Sequence, residues 1–191
     1  MITASLTPIH NNCLPLAYSA FYTSRGWIGI LASSRGIRKL ILPRESRLLA
    51  LSMLGDLSNA MHDTDCFKQL EQTLHAYFNG EIVIFDQKID LEGYTAFMQK
   101  VWEVTREIGY GKTASYQEIA AKAGSPRAFR ATGQALKRNP VPIIIPCHRI
   151  IASSGQVGGF NGGIALKQDL LQMEQAGLLK VKPTSSRARH I

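Results

Sequence analysis

The chain is poor in cysteine, lacks long apolar runs, and runs short of acidic residues in one half. Its three cysteines, Cys13, Cys66 and Cys147, are an odd number at wide spacing. Such a set is no disulfide framework and suits a reducing, cytoplasmic compartment. No apolar stretch approaches the length of a bilayer span, so no membrane attachment is expected. The start, MITASLTPIH, lacks a basic head followed by an apolar core, so no secretory signal is read there. The cysteines, taken with His10, His62, His75 and His148, show no zinc-like spacing. Neither a metal nor another cofactor is expected. What is present is ordinary in bulk: 191 residues, 45% of them hydrophobic, enough to bury a core as one large domain or two small ones.

The shortage of acid is local. Residues 1–93 carry 8 Lys/Arg against 9 Asp/Glu, and residues 94–191 carry 14 against 5. The second half is therefore at +9, and it stays at +5 without the four cations of the last stretch, KVKPTSSRARHI. A half this basic points to a polyanionic partner such as nucleic acid.

YSAFYTSRGWIGILASSRGIRKLIL (18–42) reads as three strands of an antiparallel meander, broken at SRG and SSRG. CFKQLEQTLHAYFNG (66–80) spaces Phe67, Leu70, Leu74, Tyr77 and Phe78 as a helix that Gly80 ends. IVIFDQKIDL predicts a further strand. Charge and composition shift after Gly93, which places a boundary there. TAFMQKVWEVTREI puts Phe97, Val101, Trp102, Val104 and Ile108 mainly on one helical face. SYQEIAAKAG opens with a capping box, Ser115 with Glu118. SPRAFRATGQALKRN is read as a helix with Ser125 as N-cap and Pro126 at its first position. The pair makes a helix-turn-helix whose second helix carries Arg127, Arg130, Lys137 and Arg138, with small Ala128 and Ala131 that let a backbone approach. The three prolines of NPVPIIIP predict an extended path. A glycine-rich loop, SSGQVGGFNGG, follows. IALKQDLLQMEQAG closes as a helix with Ile164, Leu170, Leu171 and Met173 available for burial. The expected fold is α/β (α+β): an N-terminal antiparallel sheet with a helix over 1–93, a mostly helical part with a helix-turn-helix over 94–180, and a basic, disordered tail at 181–191.

IIIPCHRII (143–151) is the odd stretch. A buried isoleucine strand has no use for Cys147, His148 and Arg149. On a regular strand Cys147 and His148 point to opposite faces. A thiol–imidazole bond then needs a bend at Pro146, or a water between them. Either route lets the imidazole take the thiol proton and make a nucleophilic thiolate. The alternative is an inert core thiol.

NPVPIIIPCHRII followed by SSGQVGGFNGG resembles the O6-alkylguanine-DNA alkyltransferases, or methylated-DNA–protein-cysteine methyltransferases. Asn139, Pro140, Pro146, Cys147, His148 and Arg149 match their Pro-Cys-His-Arg signature and the Asn-Pro stretch before it. The likeness continues through GKTASYQEIA, SPRAFRATGQALKRN and ALKQDLLQMEQ, over about half of the chain. It implies that the alkyl group of O6-alkylguanine in double-stranded DNA passes irreversibly to Cys147, once per molecule, with O4-alkylthymine left open. It further implies that His148 deprotonates the thiol through a water and that Glu174 orients His148. Asn139 braces the turn, and Tyr116 supports the flipped guanine and donates to its ring nitrogen. Arg130 fills the gap left in the base stack, and Ser153 lies near the lesion oxygen or the backbone. Gln117, Arg127 and Ala128 join them as DNA contacts, made in the minor groove. Phe160, Asn161 and Ile150 are placed in the substrate pocket. Phe160 stands where some members carry tyrosine and Asn161 where a smaller residue is frequent; both bear on the size of alkyl group accepted. A monomer is expected, with cooperation along DNA left open. No four-cysteine regulatory domain is read before the transferase part. Two other readings compete: a lesion-binding protein without transfer activity, which the presence of Cys147 opposes, and a cysteine hydrolase, for which no local signature is found.

Overall fold

The structure is a computed structural model and describes residues 16–181. Cys13, His10 and, apart from the final helical residue, the stretch read as a basic tail lie outside the described residues.

Three strands follow one another as the meander predicts: β1 (Leu16–Thr23), β2 (Gly26–Ser33) and β3 (Gly36–Arg44). Thr23 pairs with Gly26 and Ser33 with Gly36, so each reversal turns on two residues. Gly36 has φ of 143°, and a Cβ there would stand 2.4 Å from the Lys88 carbonyl oxygen, so only glycine fits. Two short elements escape the sequence reading. One is helix α1 (Arg47–Ser52), capped by the Ser46 side chain; the other is β4 (Met61–His62), parallel to β1. The sheet order is β3-β2-β1-β4. Helix α2 (Lys68–Phe78) buries Leu70, Leu74, Tyr77 and Phe78.

The strand expected in IVIFDQKIDL does not form. Exposure does alternate there, with Ile84 85% exposed, yet the segment pairs with β3 only at Ile37–Ile89. Arg106 donates to the Phe85 and Gln87 carbonyls in place of a neighbouring strand. Alternation made the segment extended; it found no edge long enough to make it a strand.

Beyond Gly93 come α3 (Ala96–Arg106), β5 (Ala114–Ser115), α4 (Tyr116–Lys122), α5 (Phe129–Lys137), β6 (Ile150–Ile151) and α6 (Ile164–Val181). The capping box of Ser115 and Glu118 is present. Ser125 does not cap α5. Its N–H returns to the Ala120 carbonyl while Gly124, at φ 78°, bonds to Ala121, so Ser125 closes α4 in a Schellman arrangement. A turn from Ser125 to Ala128 follows, and α5 begins at Phe129 with Ala128 as N-cap. Arg127 therefore sits on the turn, not on the helix. On α6, Leu170 is buried and Leu171 and Met173 are half-buried, but Ile164 is 52% exposed.

One buried cluster runs across Gly93, from Phe21, Ile28 and Leu40 through Tyr77 to Trp102, Ile119, Leu136 and Leu170. Trp102 Nε1–H also donates to the Ala135 carbonyl at 3.0 Å, which fixes α3 against α5. Among the described residues, no helix is long and apolar enough to cross a membrane.

Candidate active site

The stretch from Pro140 to Pro146 is folded, not extended. Prolines exclude helix, but they leave turns open. Ile145 N–H bonds to the Val141 carbonyl, and Ile143 takes φ of 74°. It is the one non-glycine with positive φ among the described residues. For a β-branched residue that conformation costs roughly 1–3 kcal/mol. Asn139 holds it in place. Its Oδ1 accepts from Val141 N–H at 3.0 Å and its Nδ2 donates to the Ile145 carbonyl at 2.8 Å. The same Nδ2 reaches Cys147 Sγ at 3.1 Å. Leu40 N–H of β3 ties the turn down at the Pro140 carbonyl.

Residues 147–149 then wind into one turn of 3-10 helix. The bend at Pro146 is real, and it sends Cys147 and His148 different ways. Cys147, 9% exposed, forms the floor of a cleft of about 370 Å³. The rest of the cleft is Tyr116, Gly133, Leu136, Lys137, Gly159, Phe160 and Asn161. The glycine-rich loop passes so close that a Cβ on Gly158 would stand 2.8 Å from Tyr116 Oη. Burial and the neighbouring thiol push the Tyr116 phenol up, so it stays protonated and can donate.

His148 turns away from the cleft and is fully buried. Its Nε2 lies 2.9 Å from Glu174 Oε1 and 3.1 Å from the Tyr77 hydroxyl. Its Nδ1 is buried and has no partner among the protein atoms. Glu174, also fully buried, takes the Arg149 guanidinium on both oxygens at 2.8 to 3.1 Å, the Tyr77 hydroxyl at 2.7 Å and Gly111 N–H at 2.9 Å. Burial alone would raise its pKa, but His148 and Arg149 outweigh it and hold the carboxyl at about 2. Burial lowers the His148 pKa, against the pull of Glu174. Burial also pushes the Cys147 thiol up, to about 11, while Asn139, the Lys167 charge and backbone N–H groups work the other way. Those opposing groups are what the fold offers a thiolate.

Lys167 is fully buried on α6 and donates to the Ile150 carbonyl. It and Tyr77 were not read as site residues. Lys167 had a signal: it precedes Glu174 by two helical turns, so a helix burying one presents the other on the same face. Tyr77 had none, since it fits a core helix position equally well. Ile150, expected in the pocket, does not line the cleft. Its side chain is fully buried where β6 pairs with β5, one residue past the 3-10 turn. Phe160 is half-buried, its ring 6.3 Å from that of His148, and Asn161 Nδ2 holds the Lys137 carbonyl at 2.6 Å.

Outside the cleft, Gln117, Arg127, Arg130 and Ser153 are exposed and Ala128 is half-buried. Ser153 Oγ donates to Gln117 Oε1 at 3.3 Å. Arg130 lies over the Phe129 ring at 5.8 Å and stands one turn before Gly133 of the cleft wall. Among the described residues no group of three or more His, Cys, Asp or Glu could hold a metal ion.

Residues 96–176 match the family model described as 6-O-methylguanine DNA methyltransferase, DNA binding domain. A methylated-DNA–protein-cysteine methyltransferase of Methanosarcina barkeri is 46% identical over 112 residues, 59% of this chain and 70% of that one. The protein of the same description from Mycobacterium bovis is 46% identical over 60% of this chain and 68% of its own. The crystal structure of Mycobacterium tuberculosis OGT in complex with DNA superposes with a TM-score of 0.72 at 35% identity, covering 84% of this chain and 94% of that one. The O6-methylguanine-DNA methyltransferase of Pyrococcus kodakaraensis aligns with a TM-score of 0.62 at 25% identity, over 83% and 98%. The Pro-Cys-His-Arg turn, the cleft over its thiol and these likenesses agree: the chain belongs to the O6-methylguanine DNA methyltransferase family.

Proposed function

We propose that the protein repairs DNA by moving the alkyl group of O6-alkylguanine onto Cys147, once per molecule. The observation that carries this is a single thiol at the floor of a cleft, with a buried imidazole–carboxylate pair beside it and a protonated tyrosine in the wall. The cysteine Sγ–CH3 bond forms as the guanine O6–CH3 bond breaks. The thiol proton goes to the bare Nδ1 of His148 through a bridging water, since no direct contact joins them. Glu174 stabilises the imidazolium from the Nε2 side. Tyr116 donates to the leaving guanine, whose anion is the poor part of the bargain. Water does not readily cleave the thioether product, so the protein is not regenerated.

The lesion sits inside the duplex, and the reacting base must leave the stack to reach the cleft. Arg130, Arg127 and Gln117 are exposed on the helix pair and the turn beside the cleft. We read them, with Ala128 and Ser153, as the DNA face that enters the minor groove as a monomer. The acceptor works only as a reduced thiol, which suits a cytoplasmic setting. The test is to incubate the protein with duplex DNA bearing O6-methylguanine and weigh it intact. One added methyl group per molecule without further turnover is expected. Tight binding with no mass gain would mean a lesion binder, and turnover with unmodified protein a hydrolase.

A further inference from the structure

The family match covers residues 96–176, and His148, Arg149 and Glu174 lie within it. One member of their hydrogen-bonded cluster does not. Tyr77 stands on α2, in the sheet-bearing part of the chain. Its side chain is fully buried, and its ring meets Phe78, Phe85 and Tyr110 edge-on at 5.3, 5.7 and 6.2 Å between centroids. That cage fixes the ring and aims the hydroxyl. The oxygen lies 2.7 Å from Glu174 Oε1 and 3.1 Å from His148 Nε2, and those two atoms lie 2.9 Å apart.

Three atoms share few protons, and chemistry assigns them. Glu174 is ionised, so it accepts from both neighbours. The Tyr77 O–H therefore points at Oε1. Its lone pair then faces Nε2, which must carry a hydrogen to meet two acceptors. The other ring nitrogen, Nδ1, is left bare, and it is the atom without a protein partner.

We propose that Tyr77 is a positioning residue of the transfer reaction: its hydroxyl, brought in by the N-terminal part, holds His148 in the tautomer whose Nδ1 receives the Cys147 proton. This rests on the function proposed above. The same hydroxyl oxygen stabilises the imidazolium as a second acceptor for Nε2–H. The other charged or titratable groups around the pair are Cys147 and Arg149 from the 3-10 turn, Lys167 from α6 and Tyr110 from the loop after α3. Arg149 and Lys167 oppose a charged ring, and Glu174 favours it. Arg149 and Gly111 keep Glu174 charged without Tyr77, so removing the hydroxyl acts on the histidine side.

Tyr77→Phe removes one atom and keeps the ring. Methyl transfer is expected to slow about tenfold, roughly the worth of one buried hydrogen bond. The loss should be the same on duplex DNA and on free O6-methylguanine, because the tyrosine serves the chemistry and not the DNA. The pH midpoints of transfer and of iodoacetamide labelling of Cys147 should rise by up to about one unit, since the imidazolium loses an acceptor. Leu70→Ala loosens the same helix at a buried position outside the aromatic cage and the network. It should lower stability and leave both midpoints where they are. A Tyr77→Phe protein with the parent's rate and midpoints overturns the proposal, as does a Leu70→Ala protein whose midpoints move equally. A parent that transfers no methyl at all would instead defeat the functional reading. Nitrogen-15 NMR of His148 in the unmodified parent keeps the proposal open to refutation even if Tyr77→Phe fails to fold: a proton on Nε2, which both Glu174 and Tyr77 face, is required, and a proton on Nδ1 overturns the proposal.

Discussion

The two parts of the molecule bury polar groups for different ends. Before Gly93 they are connectors. Thr23 Oγ1 closes the first reversal on the Gly26 carbonyl at 2.8 Å, and Asp90 receives Ser33 Oγ at 2.6 Å with Arg35 and Arg38 at its rim. Each bond joins one stretch of chain to another, and the polar atoms left without a partner there, Arg25 Nε, Arg44 Nε and Gln87 Oε1, each sit on a half-buried side chain. After Gly93 buried His148 and Arg149 bond to buried Glu174 next to the Cys147 turn, buried Lys167 acts on the thiol, and a histidine nitrogen remains unsatisfied. Burying charge costs several kcal/mol per group unless it is paired, so stability alone does not ask for such a cluster. The contrast teaches where to look for chemistry: not where polar groups are buried, but where they are buried in excess of what the backbone needs. Tyr77, fully buried, carries its hydroxyl across the divide into that cluster.

The largest expected effect breaks the contrast at its centre. Cys147→Ala should abolish transfer while leaving DNA binding near that of the parent, because affinity comes from phosphate contacts and not from the thiol. Intact mass and gel shift on one preparation check both halves of that statement. Glu174→Gln comes next. It leaves the Arg149 guanidinium buried without its anion, a change worth about 3–5 kcal/mol in stability. Transfer should slow, and the pH midpoint of Cys147 labelling should rise. In the parent, the Glu174 contribution to stability is fully present above the ordinary glutamate pKa of about 4.3. It is lost as pH falls through the folded value of about 2. Acid unfolding of Glu174→Gln should therefore lack that component.

Arg130→Ala sharpens the comparison from the DNA side. The side chain is exposed, so the fold should not notice its loss. Repair in duplex DNA should fall on the order of tenfold, part of the cost of unstacking a base, while reaction with free O6-methylguanine stays unchanged. Equal losses on both substrates would put Arg130 in the fold or the pocket. Asp90→Ala is the matching probe of the connector class. Burial would raise its pKa, but Ser33, the Glu92 backbone and Arg35 lower it, so the lost carboxylate should cost about 1–3 kcal/mol. Once folded, the variant should transfer methyl at the parent's rate. A slowed rate would mean that connectors reach the chemistry after all.

Much of this was readable beforehand, for local reasons. The meander announced itself through Gly26 and Gly36, and the helix pair through Ser115, Glu118 and Gly124, since turn and cap chemistry act over a few residues. Ser125-Pro126 misled because the same serine can open one helix or close another, and here Gly124 drew it backwards. The Cys147 turn was legible as a site but not as a shape: that Asn139 would hold Ile143 at positive φ depends on side-chain bonds six and two residues away. Lys167 showed only as a periodicity, and Tyr77 not at all, because a hydroxyl's partner 97 residues on leaves no trace in its own neighbourhood. Ile150 was placed in the pocket along with Phe160 and Asn161 by the resemblance, and one turn of 3-10 helix before it is enough to bury it away from the cleft.

The most direct measurement is to find where the methyl group goes. The protein is exposed to an excess of duplex DNA bearing O6-methylguanine, digested, and its peptides are mapped by mass. One methyl on the peptide that carries Cys147, and none on those that carry Cys13 or Cys66, is the predicted result. A methyl on either of the other cysteines, or methanol released from DNA with the protein unchanged, would contradict it.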